Sequence, residues 1–436
     1  MTKLTLITYR ILWQLIGLVL PIGLRLRARQ GKEDTTRLGE RFGYPSLARP
    51  KGQVFWLHGA SVGETVSSLV LAETLLSHAP DAHVLITSGT VTSAEMAAQR
   101  ITSNRILHQY HPHDHPRWIN RFLDHWMPDA VVMMESEIWP NMVTISRERG
   151  CPVAMASAQI SPNSHQKWKT YGRTMAEAIF PCFSAILAVD HDQARRFQDL
   201  IDNPAKIKIG GSMKAAAKPL PDHPELQEAM IKAADGRQIV LLASSHDQEE
   251  DLFIDAINSI NQNNAFFPVI APRHIGRGDQ IAQMISAKGG RSGQRSQDQW
   301  PDGNTSWWIA DTMGEMGSLI RSADIIVLGG GFAPLGGHNP MEMASLGKGV
   351  ISGRHVFKNK SIFEMLDSHQ GVMFAGNTAE LMEAITLLSA SPTALEQLNK
   401  GASRTADAIK SSADETALSL IQLAHGQHPH QKGDAS

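Results

Sequence analysis

Eleven short apolar runs, each ending in small or polar residues and each leading into a helix-like stretch, constrain this 436-residue chain more than anything else in it. "QVFWLHGA", "HVLITSGT", "RILHQYHP", "AVVMMESE", "PVAMASA" and "AILAVDHD" form a first series. "IVLLASSH", "FFPVIAPRH", "SWWIADT", "DIIVLGGG" and "GVISG" form a second, after "KIKIGGSMK". Continuous β-branched and apolar runs are what strands buried on both faces require, and strands alternating with helices build parallel sheets. An α/β chain with two Rossmann-like halves joined near residue 210 is therefore expected. The stretch Gly210 to Asp235, with three prolines and alanine-rich filler, reads as the connection. Residues 33–210 and 211–425 are the expected domains, with Gly289 to Ser306 as a mobile loop and 426–436 as a disordered tail.

A formal charge of −2 gives no general attraction to nucleic acid, so anion binding has to come from local clusters. Cys151 and Cys182 lack metal-ligand spacing and do not make a disulfide framework, which fits a reducing compartment. The N-terminal segment 1–32 differs from the rest. "ILWQLIGLVLPIGL" is nearly uncharged and is followed by "RLRARQGK". It reaches a spanning length of about twenty residues only by including Arg10 and Gln14. A membrane anchor or interfacial helix is expected, with Arg25, Arg27, Arg29 and Lys32 keeping the globular part cytoplasmic. The alternative is an amphipathic helix packed on the protein itself.

Ligands in such sheets bind beyond the carboxyl ends of the strands. There, Glu64 of "VFWLHGASVGE" is either an ordinary first-turn carboxylate or a chemical group, and the helix dipole is expected to keep it ionised. Glu135 and Glu137 of "ESEIWPN" would point the same way on an extended stretch, raising one pKa. "LGGGFAPLGGHNPMEMASLGKG" offers bare N–H groups and a helix start to an anion, with Asn339 and Glu342 on one helical face. It is neither a P-loop nor a dinucleotide fingerprint. Arg273 could grip a phosphate, or form a surface salt bridge. Lys214 follows a strand near the junction. The histidines of "HQYHPHDHP" form an extended loop rather than a helical metal motif, and "VDHD" reads as a helix cap at Asp192.

Together, "HGASVGE", "ESEIWPN", "ASSHDQEE", "PRH", "DTMGEMG" and "GGHNPMEMASLGK", in this order, resemble the 3-deoxy-D-manno-octulosonic acid (Kdo) transferases, which join Kdo to the lipid A precursor of Gram-negative bacteria. The resemblance implies a GT-B fold with an interdomain cleft, inverting transfer from CMP-Kdo, no cofactor or metal, and an inner-membrane association on the cytoplasmic side. It implies Glu64 as general base, with Glu135 and Lys214 stabilising the transition state. Ser61, Gly63 and Glu137 would lie on the acceptor side. Donor binding would fall to Pro272, Arg273, Met313, Gly314, Glu315, Gly337, His338, Asn339 and Glu342. Three departures bear on the acceptor: Met343 where the family commonly has proline, Gln159 where arginine is usual, and "GSMKAAA" without the usual asparagine and acidic neighbours of the lysine. A GT-B transferase or epimerase using another nucleotide sugar, or a non-catalytic sugar-nucleotide binding protein, are the competing expectations.

Overall fold

All eleven runs are strands in the computed structural model, which describes residues 2–216, 220–303 and 305–426. In the first unit these are β1 (Val54–His58), β2 (His83–Ser88), β3 (Ile106–Tyr110), β4 (Ala130–Met134), β5 (Val153–Ala158) and β6 (Phe183–Ala188), joined by a short β7 (Ile207–Ile209). They pair in the order β3-β2-β1-β4-β5-β6-β7, every pair parallel. The second unit has β8 (Gln238–Ser245), β9 (Phe266–Pro272), β10 (Ser292–Gln294), β11 (Trp307–Ile309), β12 (Ile325–Leu328), β13 (Val350–Ser352) and β14 (Val372–Phe374). Its order is β10-β11-β9-β8-β12-β13-β14, again all parallel. Both units are Rossmann-like. Each sheet has a reversal of strand order, beside β1 in the first unit and beside β8 in the second, and crevices form at such points.

Strand alternation explains the unbroken apolar runs. Phe55 and Leu57 of β1 enter one core of the first unit, while Val54 and Trp56 enter the core on the opposite face. Both faces carry helices, so no position of the strand meets water.

The stretch expected to be a mobile loop instead holds β10 and a turn. Gln294 and Ser296 bond the buried carboxylate of Asp311 (2.9 Å from Gln294 Nε2), and Arg295 pairs with Glu315 at 3.0 Å. Its Gly, Ser, Gln and Arg content reflects an edge strand made of polar ties rather than freedom. The expected connection over 210–235 likewise contains the helix Pro224–Ala234, which packs on Met316–Ser322.

The units divide as Met1–Ala217 with Ile409–Ser436, and Lys218–Ala408. A second domain running from 211 to 425 is thus replaced by one that ends inside the long helix Pro392–His425. Beyond Ile409 this helix returns to the first unit, where Ala413, Ala417, Leu420, Ile421 and Ala424 join the core containing Phe55 and Leu57. Each large apolar side chain buried this way contributes roughly 1.5–3 kcal/mol. An amphipathic helix advertises an apolar face without saying whose core it completes. Residues 427–436, expected to be disordered, lie outside the described residues.

The N-terminal helix Thr2–Arg29 docks along the first unit, against helices Pro116–Trp126 and Arg173–Ile179. Tyr9 donates to the buried Asp114 carboxylate (2.8 Å), and Arg10 pairs with Glu148 (2.7 Å). A Cβ on Gly17 would lie 2.6 Å from the His115 ring, so only glycine permits this approach. Among the described residues this one helix is long and apolar enough to cross a membrane. Its opposite face exposes Leu4, Ile7, Ile11, Leu15, Leu18, Ile22 and Leu26, a stripe at helical spacing.

Candidate active site

In the first unit the site begins where β1 gives way to the helix Val62–His78. Ser61 caps that helix: its hydroxyl accepts from the Glu64 N–H (3.3 Å), and its own N–H donates to Glu64 Oε2 at 2.7 Å. This reciprocal box fixes the carboxylate at the helix start. Gly59 makes room for it, since a Cβ there would sit 2.7 Å from the Glu64 Cβ. Glu64 is 9% exposed. Burial pushes its carboxyl above the ordinary range; the Ser61 N–H opposes the shift, and the carboxylates of Glu137 and Glu135 add to it. Desolvation and the neighbouring carboxylates thus outweigh the Ser61 N–H in setting the direction of the shift. Gly59→Ala is expected to lower kcat on the order of a hundredfold if it displaces the carboxylate by about 1 Å. Wild-type turnover in that variant would show that the position of Glu64 is not critical.

Glu135 and Glu137 do not point the same way. Glu135 has a left-handed backbone (φ 55°), which turns its side chain toward Ser67 Oγ (3.0 Å) and Gln159 Nε2 (2.6 Å). A non-glycine residue held in this region stores strain, a cost seen most often at functional sites. Glu137 accepts from the Trp139 indole N–H (2.7 Å) and lies 3.7 Å from His58 Nε2. Burial would raise the Glu137 carboxyl, but His58 and Trp139 outweigh it and leave the group below the usual range. Like charge from Glu137 and Glu135 adds to the rise at Glu64.

Lys214 is exposed, on the turn after β7. The Met213 N–H beside it donates to Ser157 Oγ at the end of β5 (2.8 Å), and Gln159, two residues further on, holds Glu135. The turn bearing Lys214 and the Glu135 carboxylate are thus fixed from the same strand end. Ser67 and Gln159 were not among the expected site residues, although Gln159 stood out as a departure. No local pattern announces a partner 68 or 24 residues away.

The histidines in and after β3 serve the structure. His108 meets Ser88 Oγ at 2.9 Å, His111 lies against the Pro112 carbonyl (3.0 Å), and His115 caps the next helix. Asp190, rather than Asp192, caps the helix His191–Gln198, accepting from the Gln193 N–H at 2.8 Å.

In the second unit, the expected residues gather beyond β9, β11 and β12. Arg273, just past Pro272, has an exposed side chain and anchors its N–H on the Ser245 carbonyl (3.0 Å). His338 stacks on His246 with ring planes 12° apart and an Nε2–Nε2 separation of 3.0 Å. One ring donates and the other accepts, so the pair cannot be doubly protonated without losing this bond. Burial, then His246 and Arg273, push His338 down to about 4. Asn339 caps the following turn through the Met341 N–H (3.1 Å). Desolvation raises the Glu342 carboxyl, while the positive charge of Arg273 pulls it back. Met313 is 77% exposed, next to Gly314 with φ 91°. Glu315 is engaged by Arg295 and by the Thr312 hydroxyl.

The residue missed here is Glu249. Fully buried, its Oε2 accepts from the His246 N–H (3.0 Å) and Gly330 N–H (2.8 Å), and its Oε1 from the Phe332 N–H (3.0 Å). The glycine-rich loop is therefore shaped by a carboxylate on another helix. Gly330 (φ 81°) and Gly337 (φ 75°), whose N–H meets the Gly330 carbonyl at 2.8 Å, supply the left-handed turns. Its signals were its place in "ASSHDQEE" and its position three residues after the helix-capping His246.

Residues 36–217 match the family model described as 3-deoxy-D-manno-octulosonic-acid transferase (kdotransferase). The chain is 30% identical over 424 residues to the "probable 3-deoxy-D-manno-octulosonic acid transferase, mitochondrial" of Arabidopsis thaliana, covering 95% of each. It is 29% identical to the 3-deoxy-D-manno-octulosonic acid transferase of Haemophilus influenzae, covering 83% of this chain and 85% of that one. A glycosyltransferase structure from Rickettsia africae superposes with a TM-score of 0.55 at 12% identity, over 86% of this chain and 99% of that one. The UDP-GlcNAc 2-epimerase of Neisseria meningitidis also gives 0.55 at 12% identity, over 85% and 100%. The last two are likenesses of fold alone.

Proposed function

Because the chain belongs to the 3-deoxy-D-manno-octulosonic acid (Kdo) transferase family, we propose that it moves Kdo from CMP-Kdo to a hydroxyl of a lipid A precursor in lipopolysaccharide biosynthesis, with Glu64 as general base. It is a glycosyltransferase. The observation that carries the mechanistic reading is the desolvated Glu64 carboxylate, boxed at a helix start beside two further carboxylates. A base works best when its pKa lies near the operating pH, and the upward shift moves Glu64 in that direction.

Glu64 takes the acceptor proton as the hydroxyl oxygen bonds to the anomeric carbon of Kdo. The bond from that carbon to the CMP phosphate oxygen breaks in the same displacement, its electron pair leaving with CMP, and the configuration inverts. Arg273 and the N–H groups of the glycine-rich loop hold the departing phosphate, where fixed donors favour the leaving charge. Pro272, Met313, Gly314, Gly337, His338, Asn339 and Glu342 shape the rest of the donor site, with Glu315 held in place by Arg295. Glu135 and Lys214 offset charge as it develops. Ser61, Gly63 and Glu137 face the acceptor.

The N-terminal helix lies in the plane of the inner membrane's cytoplasmic surface instead of crossing it. Tyr9 and Arg10 tie the first third of the helix to the protein body, and the exposed leucine and isoleucine stripe is what an interfacial helix presents to lipid.

Mass spectrometry of the product made from CMP-Kdo and lipid A precursor tests the activity, and competition by CMP against UDP separates it from a UDP-sugar enzyme. Absence of a Kdo-bearing lipid would overturn the reading. The acid limb of kcat/KM is expected above the ordinary glutamate range, since Glu64 must be ionised to act. Glu137→Gln removes a like charge and is expected to move that limb to lower pH. A limb that stays or rises would remove Glu64 as the titrating base.

A further inference from the structure

Where the N-terminal helix crosses the helix Pro116–Trp126, a groove of about 480 Å³ opens. Its floor is Trp118, stacked on His115 at 4.5 Å, and its rim is Leu15 and Leu18, respectively 59% and 74% exposed. Arg117 and Arg121 line it, with no acidic side chain among the lining residues. Arg121 is fixed: its Nη1 donates to the Phe42 carbonyl (2.6 Å), and its guanidinium lies 3.8 Å from the centre of the Tyr44 ring. Arg117 is exposed, and among the described residues its guanidinium makes no hydrogen bond or ion pair, only its backbone N–H being engaged, by His115 Nδ1 (3.1 Å).

A fixed arginine beside a free one, at the edge of an apolar stripe, is complementary to an amphiphile with an anionic head. We propose that this groove binds the phosphate headgroup of an anionic glycerophospholipid of the bilayer, Arg117 and Arg121 taking the phosphate oxygens while the acyl chains run along Leu15 and Leu18. The leucines are what select a lipid over a free anion. The inference rests on the interfacial reading of the N-terminal helix. It adds that the protein is held at anionic lipid by a defined site and not by its overall charge, which is −2.

Flotation of the full-length protein with phosphatidylcholine vesicles, with and without phosphatidylglycerol, tests it. Wild type is expected to bind both, and the anionic vesicles more tightly. Arg117→Ala is expected to lose about fivefold on the anionic vesicles, one basic residue near such a surface being worth about 1 kcal/mol. Arg117→Glu should lose more, with binding to neutral vesicles unchanged. Lys51→Glu, the same reversal at an exposed lysine outside the groove, should bind as wild type. Equal losses from Lys51→Glu and Arg117→Glu would mean diffuse charge attraction and overturn the site. So would undiminished binding by both Arg117 variants. Displacement by inorganic phosphate, where chloride at matched ionic strength has no effect, would assign the groove to a free anion and also overturn it. Failure of wild type to bind either vesicle would overturn the interfacial reading itself, and the site with it.

Discussion

Glu64→Gln is expected to lower kcat by about 10²–10⁴-fold, the usual contribution of a positioned general base, while leaving the fold and CMP affinity in place. The glutamine carbonyl can still accept the Ser61 N–H, and the Ser61 hydroxyl still receives the N–H of residue 64, so the helix start keeps both bonds. What disappears is the ability to take a proton. Side-by-side turnover, CMP titration and Tm separate the outcomes. Full turnover in the variant would end the assignment, and a large fall in Tm would mean that the charge serves the fold. The wild-type carboxylate is partly desolvated, so neutralising it relieves a cost. A small gain in Tm together with lost turnover is therefore the signature of a group kept for chemistry.

Glu249→Gln is expected to have the second largest effect, this time on the donor. The carboxylate serves three backbone donors with two oxygens. Glutamine has one acceptor oxygen, and its amide N–H groups would face N–H groups, leaving at least one buried donor unsatisfied at about 1–3 kcal/mol. Each 1 kcal/mol lowers Tm by about 2–4 °C in a unit of this size. The Gly330–Gly337 loop loses its mould, so KM for CMP-Kdo should rise by about tenfold or more, with kcat at saturating donor falling far less. An unchanged KM would show that the loop holds its shape without Glu249.

Much of this was legible in the residues. Parallel strands buried on both faces leave unbroken apolar runs, and all eleven were found. β10 and β14 escaped because three-residue edge strands carry too few side chains to make a pattern. The motif residues around Glu64, Arg273 and the glycine-rich loop are where the strand ends were expected to place them. Their electrostatics were not legible: the shift of Glu64 depends on how far the chain around it excludes water, and the divergence of Glu135 from Glu137 depends on one left-handed backbone angle. The Gln159–Glu135 bond shows the same limit. The departure was visible, but its partner was not.

The return of the long C-terminal helix sets an order of events at the ribosome. A core that needs Leu420 and Ile421 as well as Phe55 and Leu57 cannot close while the chain is still being made. The second unit, complete by Ala408, emerges whole before the first has its last pieces. The usual progression from N-terminus to C-terminus is inverted. A ribosome that stalls past residue 217 leaves a sheet whose core still lacks Leu420 and Ile421.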